Sequence, residues 1–167
     1  MFKTLTKLAL ASLVGAALGI SAHAQEMTLK FQSSDPAGNP NFILQQGWAE
    51  SVSEKTGGRL AIELLPVESI VAHNETQDAI AAGILDGHVT DTSYFAGKDP
   101  AFGLIANPVG AWSAPQEMFD FMSDGGGKEL MNELLEPYGL RFIGATTPGL
   151  EAFVSKVPLT GVDDLQG

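Results

Sequence analysis

The sequence predicts an α/β domain built on a largely parallel sheet. After residue 24, its segments run strand, helix, strand, helix, strand, two helices, strand, strand. The strand segments alternate apolar and polar residues, whereas the helix segments repeat apolar residues every three or four positions. Strands that alternate with helices pair in parallel, because each helix carries the chain back across the sheet.

The first strand and the first helix are predicted from residues 27–58. The stretch 27–34, MTLKFQSS, alternates in the manner of a strand. A helix is predicted to begin at Pro40, with Asn39 as its N-cap. It should end at Gly57 and Gly58, because glycine accepts the left-handed conformation that closes a helix. The apolar face is predicted from residues at four-residue spacing: Leu44, Trp48 and Val52.

A second strand and helix lead into a third strand. Residues 59–66, RLAIELLP, alternate again. Asn74 and Gln77 have the spacing of a capping box, in which two side chains satisfy the free N–H groups of a helix start. The residues of this helix expected to face the core are Ile80 and Ile84. The third strand is predicted over 88–95, HVTDTSYF.

Two helices and two strands complete the prediction. A cap formed by Ser113 and Gln116 opens a helix over 115–122. The residues expected to turn inward from the next helix, over 128–139, are Leu130, Leu134 and Leu135. Two strands should come next, over 140–147 and 151–158.

The first 24 residues have the pattern of a secretory signal peptide. Lys3 and Lys7 form a positive start, residues 8–20 are an apolar run too short to span a bilayer, and the small-residue motif before the cleavage point ends at Ala24. Cleavage after Ala24 is therefore expected, with export to the periplasm. Residues 25–167 then form the mature chain.

Composition narrows the classes of function. The mature 143 residues suffice for one domain, and without Lys3 and Lys7 they carry seven Lys and Arg against twenty Asp and Glu, a net charge of −13. Such a surface repels phosphate backbones, so nucleic-acid binding is not expected. The chain has no cysteine, which excludes disulfides, thiolate metal sites and cysteine nucleophiles.

The polar stretch 83–102 does not have the pattern of a catalytic centre. The mature chain has two histidines, His73 and His88. His88 and Asp91 are three residues apart, and on the predicted strand they point to opposite faces. The histidine spacing does not match a zinc site, and the sequence contains no G-x-S-x-G elbow and no Walker motif. The sequence therefore predicts that the protein is not an enzyme.

The same pattern is consistent with a binding edge. Loops that come after parallel strands gather at one edge of the sheet, where small ligands bind. Neutral hydrogen-bonding groups and one aromatic ring lie just after three of the predicted strands, which suits a small polar solute. The candidate ligand-binding residues are Ser33, Ser34, Asn39, Thr92, Ser93, Tyr94, Thr146 and Thr147. The alternative for each single residue is that it only satisfies its own turn.

Four segments together carry a family resemblance: DTSYFAGKDPAFGLIANPVG, ETQDAIAAGILDG, LKFQSSDPAGNP and VPLTGVDDLQG. They resemble segments of the solute-binding proteins of TRAP transporters, the DctP family, and most closely of the branch that handles 2-oxo acids and related organic acids. The resemblance implies two α/β lobes that close on a ligand. It also implies periplasmic capture of a small carboxylate without a cofactor, and delivery to a permease driven by the sodium gradient.

The chain departs from the family pattern after the last of these segments. In relatives, the segment similar to GVDDLQG leads to a strand whose arginine grips the ligand carboxylate, and then to the second lobe. Residues 25–167 are therefore expected to be an incomplete N-terminal lobe. Lys98 is the basic residue near the predicted edge, but it stands next to Asp99 and is expected to be solvated. Weak or absent affinity for organic acids is the expected result, because hydroxyl groups do not replace a bidentate arginine.

Three further expectations stay open at the level of sequence. The resemblance places Thr147 and Glu151 where some relatives carry Asn and Gln. Glu151 could hold a cation beside the ligand, or it could be an exposed strand residue. An ABC importer component and an exported hydrolase are the alternative functions, and the resemblance leaves both an oligomer and the identity of the acid undecided.

Overall fold

The computed structural model describes residues 27–106, 111–147 and 154–165. A three-stranded parallel sheet in the order β2-β1-β3 is flanked by helices, which confirms the predicted fold class. The elements are β1 Met27–Ser33, α1 Pro40–Lys55, β2 Leu60–Leu65, α2 Thr76–Ala81, β3 Gly87–Val89, α3 Ala101–Ala106, α4 Pro115–Ser123 and α5 Gly127–Leu135. The 3₁₀ segments are His73–Glu75, Thr92–Phe95, Glu136–Tyr138 and Val162–Leu165.

The predicted signal peptide lies outside the described residues. Within the described ranges, no helix combines the length and the apolar character needed to cross a membrane.

The central strand β1 is the most buried part of the sheet. Phe31 pairs with Leu64 of β2 on one side and with Gly87 of β3 on the other. The Phe31 ring lies against Gly87 so closely that a Cβ at position 87 would collide with it. Glycine is therefore required here by the close approach of an aromatic ring.

Helix α1 begins as predicted but buries a different face. Asn39 is the N-cap, and its Oδ1 accepts from Asn41 N at 2.8 Å. The predicted apolar face is wrong, because Leu44 is 74% exposed. The helix instead buries Phe42, Gln45 and Ala49 against the sheet. Gln45 sits on this face because its side-chain amide hydrogen bonds to groups at the end of β1.

The N-cap of helix α2 is Glu75, one residue later than the predicted Asn74, and the capping box does not form. Residues His73–Glu75 make a 3₁₀ turn, and the N-cap of α2 makes no side-chain hydrogen bond. Gly83 then takes a left-handed φ of 71° and ends the helix. This turn shifts the phase of the chain, so that Leu85 is buried and Ile84 is exposed, contrary to the prediction.

The third strand is shorter than predicted. It ends at Val89, and residues Thr92–Phe95 form a 3₁₀ turn. The carboxylate of Asp91 accepts from Ser93 N at 2.8 Å and starts this turn. Helix α3 comes next, between the predicted strand over 88–95 and the predicted helix over 115–122, where no element is predicted from the sequence.

The next two helices are present, with corrections at their ends. The N-cap of α4 is Ala114, and Ser113 N donates to Glu117 Oε2 at 2.8 Å, so the predicted pair of Ser113 and Gln116 is wrong. Helix α5 buries Met131 and Leu135, whereas Leu130 is 52% exposed.

The prediction of a strand over 140–147 is wrong. Leu140 N donates to Leu135 O, and Phe142 N donates to Asn132 Oδ1, so these backbone groups bond to the end of α5. Leu140, Phe142 and Ala145 pack against a cluster of buried helical residues, which explains the apolar alternation without a neighbouring strand. In the last predicted strand, residues 151–153 lie outside the described residues, and 154–158 form no strand.

A fully buried glutamine ties the loop after β2 to β1. Gln32 has no exposed surface, and its Oε1 accepts from Ile70 N at 2.9 Å and from Val71 N at 3.2 Å. Its Nε2 donates to Val71 O at 2.8 Å. We call this set of three bonds the Gln32 latch. The bonds satisfy both polar atoms of the side chain, as burial of an amide requires.

Replacement of Gln32 by methionine is expected to lower the free energy of unfolding by about 3 kcal/mol, because it leaves three loop backbone groups without partners. Urea denaturation measures this change. Gln46 is exposed on α1, and Gln46→Met is the matched control, with an expected effect within about 0.5 kcal/mol. Equal stability of the two variants would contradict the role of the Gln32 latch.

Candidate functional site

Backbone hydrogen bonds join the loops that come after the three strands. Val67 N, after β2, donates to Asp35 O, after β1, at 3.0 Å. Ser34 N, after β1, donates to Val89 O at the end of β3 at 2.9 Å. The loops 33–39, 66–75 and 90–98 therefore meet at one edge of the sheet, which we call the C-terminal edge.

The loop 66–75 is held in a conformation that it would not adopt alone. Glu68 has a left-handed φ of 58°, which costs a non-glycine residue on the order of 1 kcal/mol. The Gln32 latch fixes the same loop two to three residues later. The latch thus offsets local strain and sets the position of the residues after it.

His73 and Tyr94 meet across this edge. Their ring centroids are 4.6 Å apart in an edge-to-face arrangement. Glu68 Oε1 lies 3.5 Å from His73 Nδ1. Tyr94 is 46% exposed, so its ring presents one side to His73 and another to solvent. His73 was not among the predicted binding residues, because the loop after β2 contains few of the hydroxyl groups that marked the others.

Three of the predicted ligand-binding side chains make internal hydrogen bonds. Ser33 Oγ donates to Gln45 Oε1 at 2.6 Å, and Asn39 caps α1. Thr92 Oγ1 donates to Phe102 O at 3.0 Å and so joins the third loop to α3. These bonds place the loops, and a direct contact with ligand stays a prediction for each residue.

The other predicted residues fall into two groups. Ser34, Ser93 and Tyr94 lie on the joined loops of the C-terminal edge. Thr146 and Thr147 end the described segment 111–147, and no hydrogen bond or ring contact among the described residues connects them to Tyr94. Glu151 lies outside the described residues.

A polar network at the end of β1 includes two residues that the sequence did not mark. Ser33 Oγ accepts from Asp35 N at 2.9 Å, and Gln45 Nε2 donates to Asp35 Oδ2 at 2.8 Å. Ser33 and Gln45 are both buried. The network fixes the Asp35 carboxylate and the first turn of the loop before α1. Neither Asp35 nor Gln45 carries a signal in the sequence, because the hydrogen bonds of the network join a helix to the end of a strand and to a loop.

Lys98 does not reach outward as a free cation. Its Nζ bonds to the carboxylate of Asp78 on α2 and lies 5.3 Å from the centre of the Tyr138 ring. An ion pair together with a cation–π contact holds the ammonium in place. Lys98 therefore connects the loop 90–98 to α2 and to the turn after α5.

His88 lacks the surroundings of a catalytic base. Its Nδ1 lies 2.7 Å from Thr76 Oγ1, and its ring packs against Phe95 with centroids 5.6 Å apart. Burial lowers the pKa of His88 to about 4, so the ring is neutral at physiological pH. Asp91, its proposed partner in the catalytic alternative, instead caps the 3₁₀ turn Thr92–Phe95.

The described residues do not bring a metal site together. Within ranges 27–106, 111–147 and 154–165, no three histidine or carboxylate side chains converge in a way that could hold an ion.

Comparison with protein families decides the class. Residues 31–167 match the model of the bacterial extracellular solute-binding proteins, family 7, also called DctP. The chain belongs to this family. It is a family of solute-binding receptors and not of enzymes.

Two relatives and their coverage place the chain within the family. The crystal structure of a TRAP periplasmic solute-binding protein from Rhodobacter sphaeroides, in an open form without ligand, is 68% identical, with a TM-score of 0.76, and the match covers 84% of this chain and 45% of that one. A monocarboxylate 2-oxoacid-binding periplasmic protein from Nostoc is 24% identical over 149 residues, 89% of this chain and 41% of the relative. The chain spans about half the length of the curated relatives it matches.

One further structure shares the fold and contains a cation. A TRAP periplasmic solute-binding protein from Pseudoalteromonas atlantica, crystallised with bound sodium and pyruvate, is 24% identical, with a TM-score of 0.59. The match covers 69% of this chain and 35% of that chain.

Replacement of His88 by a residue that does not titrate is expected to flatten the dependence of stability on pH. The unfolded chain binds a proton at His88 near pH 6.5 and the folded chain only near pH 4, so stability is full above pH 6.5 and falls as the pH drops toward 4. The loss amounts to roughly 3 kcal/mol. His88→Gln should remove this part of the slope in urea denaturation between pH 7 and pH 4.

Gln46→Met is the control for this measurement, because Gln46 is exposed and carries no titrating group, and it should keep the slope of the parent chain. A slope in His88→Gln that equals the parent slope would show that His88 is not held neutral by the fold.

Proposed function

We propose that the chain is the ligand-binding N-terminal part of a periplasmic TRAP transporter component that captures a small organic acid. The observation that carries the proposal is the junction of three strand-end loops at the C-terminal edge of a parallel sheet. Membership in a family of extracellular solute-binding proteins supports it.

The proposed ligand class is a small carboxylate, with 2-oxo acids as the first candidates. The named function of the Nostoc relative and the pyruvate in the Pseudoalteromonas structure support this class. Neutral donors such as Ser34, Ser93 and Tyr94 suit the carbonyl and hydroxyl oxygens of such acids. Ser33, Asn39 and Thr92 would then position the loops, and Thr146 and Thr147 are proposed as outer contacts.

The main group that binds the ligand carboxylate is expected to lie outside the C-terminal edge. The chain has two arginines, and neither lies on the three joined loops. Arg59 precedes β2 at the opposite end of the strand, and its Nε donates to Thr56 O. Arg141 lies in the exposed segment after α5. Bidentate recognition of the ligand carboxylate by an arginine is therefore expected from the part of the relatives that this chain does not span.

A cation beside the ligand is a finer proposal. The Pseudoalteromonas structure contains sodium together with pyruvate. Here the carboxylate of Glu151 is the candidate ligand, and backbone or hydroxyl oxygens near Thr147 would complete an oxygen set of the kind that hard cations prefer. Among the described residues, histidine and carboxylate side chains do not converge in a group of three that could hold an ion.

The proposed partners are TRAP membrane permease subunits, with uptake driven by sodium. Residues 1–24 would direct export to the periplasm, with Gln25 as the new first residue. The named transporters among the relatives are of the TRAP class, so no observation favours an ABC importer, and TRAP permease genes beside this gene would support the assignment. The oligomeric state stays a prediction.

Titration of the chain with sodium pyruvate is expected to give millimolar binding, a free energy of about −4 kcal/mol. Calorimetry should therefore show little heat, whereas amide resonances of the loops 33–39 and 90–98 should shift and saturate. Tyr94→Leu should abolish saturation, and Leu104→Ala, which removes an exposed side chain from α3, should not.

Two results would contradict the proposal. Micromolar or tighter binding would show that the described residues need no arginine clamp. If pyruvate and other small organic acids cause no saturable shifts at the C-terminal edge, this edge does not bind them.

A further inference from the structure

We propose that His73 is an additional ligand contact and that its imidazole binds the acid group of the ligand beside Tyr94. The loop after β2 is then the third wall of the binding edge, a place that the sequence had assigned to residues 146–147. The inference rests on the proposed function and names the residue through which that edge recognises an anion.

The geometry places the imidazole at the mouth of the edge. The His73 ring contacts the edge of the Tyr94 ring, and both side chains are partly open to solvent. Glu68 lies on the Nδ1 side at 3.5 Å. Among the described residues, no hydrogen-bond partner occupies Nε2. A protonated imidazole donates from both nitrogens, so the ring can bind Glu68 and a ligand carboxylate at the same time.

The backbone around His73 is held from two sides. Thr76 Oγ1 donates to His73 O at 3.1 Å, and Thr76 itself is buried. The Gln32 latch fixes Ile70 and Val71 just before this turn. A side chain on a backbone fixed in this way meets a ligand with little loss of conformational freedom.

Charge points to the same residue. The ammonium of Lys98, the cationic group of the loop 90–98, is already paired with Asp78 and covered by Tyr138. On a chain with twenty Asp and Glu against nine Lys and Arg, an anion requires a local hydrogen-bond donor. His73 is the remaining basic side chain on the three joined loops.

The test uses the chain itself and sodium pyruvate as the probe. Long-range proton–nitrogen NMR spectra observe the imidazole nitrogens of His73 and His88 in one sample. His88 serves as the internal reference, because its Nδ1 is bonded to Thr76 and its ring is packed on Phe95. Saturation with pyruvate should shift the resonances of the His73 nitrogens, in parallel with the Tyr94 amide, and should leave those of His88 in place.

Variants distinguish direct binding of the ligand by His73 from a purely structural role of this residue. His73→Leu should reduce the initial slope of the pyruvate titration at Tyr94 by about tenfold, the effect of one lost charge-assisted hydrogen bond. His73→Gln should recover part of it, since its amide still donates. Asn74→Ala, which changes the exposed neighbour, should titrate like the parent chain.

The other outcomes contradict either the His73 contact alone or the proposed function as well. If the loop amides saturate while the His73 nitrogens stay fixed and His73→Leu titrates normally, the inference fails and the proposed function stands. If no amide of the C-terminal edge saturates, both fail. If both histidines shift equally and sodium chloride reproduces the change, the effect is one of ionic strength and the inference fails.

Discussion

The amide of Gln32 is the constraint on which the candidate site depends. It lies in the middle strand of the sheet without any exposed surface, and all of its hydrogen bonds go to the loop after β2. A buried amide is costly unless it is fully bonded, so the strand and the loop must keep their relative position. The loop also contains a residue in the left-handed conformation, Glu68, which is a strained position for a non-glycine residue. The Gln32 latch therefore holds the loop 66–75 in a fixed position.

The fixed loop after β2 meets the loop after β3 at the C-terminal edge of the sheet. The sheet order puts β2 and β3 on opposite sides of β1, and the loops after them would otherwise diverge. Instead His73 and Tyr94, which come from the loops after these two strands, contact each other. The Ser33–Gln45–Asp35 network fixes the start of the loop after β1. Polar groups that are buried and paired thus hold this edge of the sheet together.

The sequence predicted the fold class because local signals agree with it. Asn39 and Pro40 mark a helix start with their own chemistry, and the alternation of β1 and β2 is local. Several of the errors share one physical cause, namely contacts with residues of other elements. Gln45 is buried because it bonds to Ser33, which no helical pattern can reveal. The segment after Leu140 alternates because one face packs on helices, although it pairs with no strand. His73 carried no signal as a site residue, since its neighbour Tyr94 comes from another loop.

Hydrogen exchange at Ile70 and Val71 tests the central claim most directly. Both amides lie in a loop, and both donate to the Gln32 side chain. If this amide holds the loop, they should exchange as slowly as the amides of β1 and open only when the sheet opens. Exchange at the rate of an unstructured peptide, with the β1 amides protected, would show that the loop is not latched and that the wall of the site is not fixed by the fold.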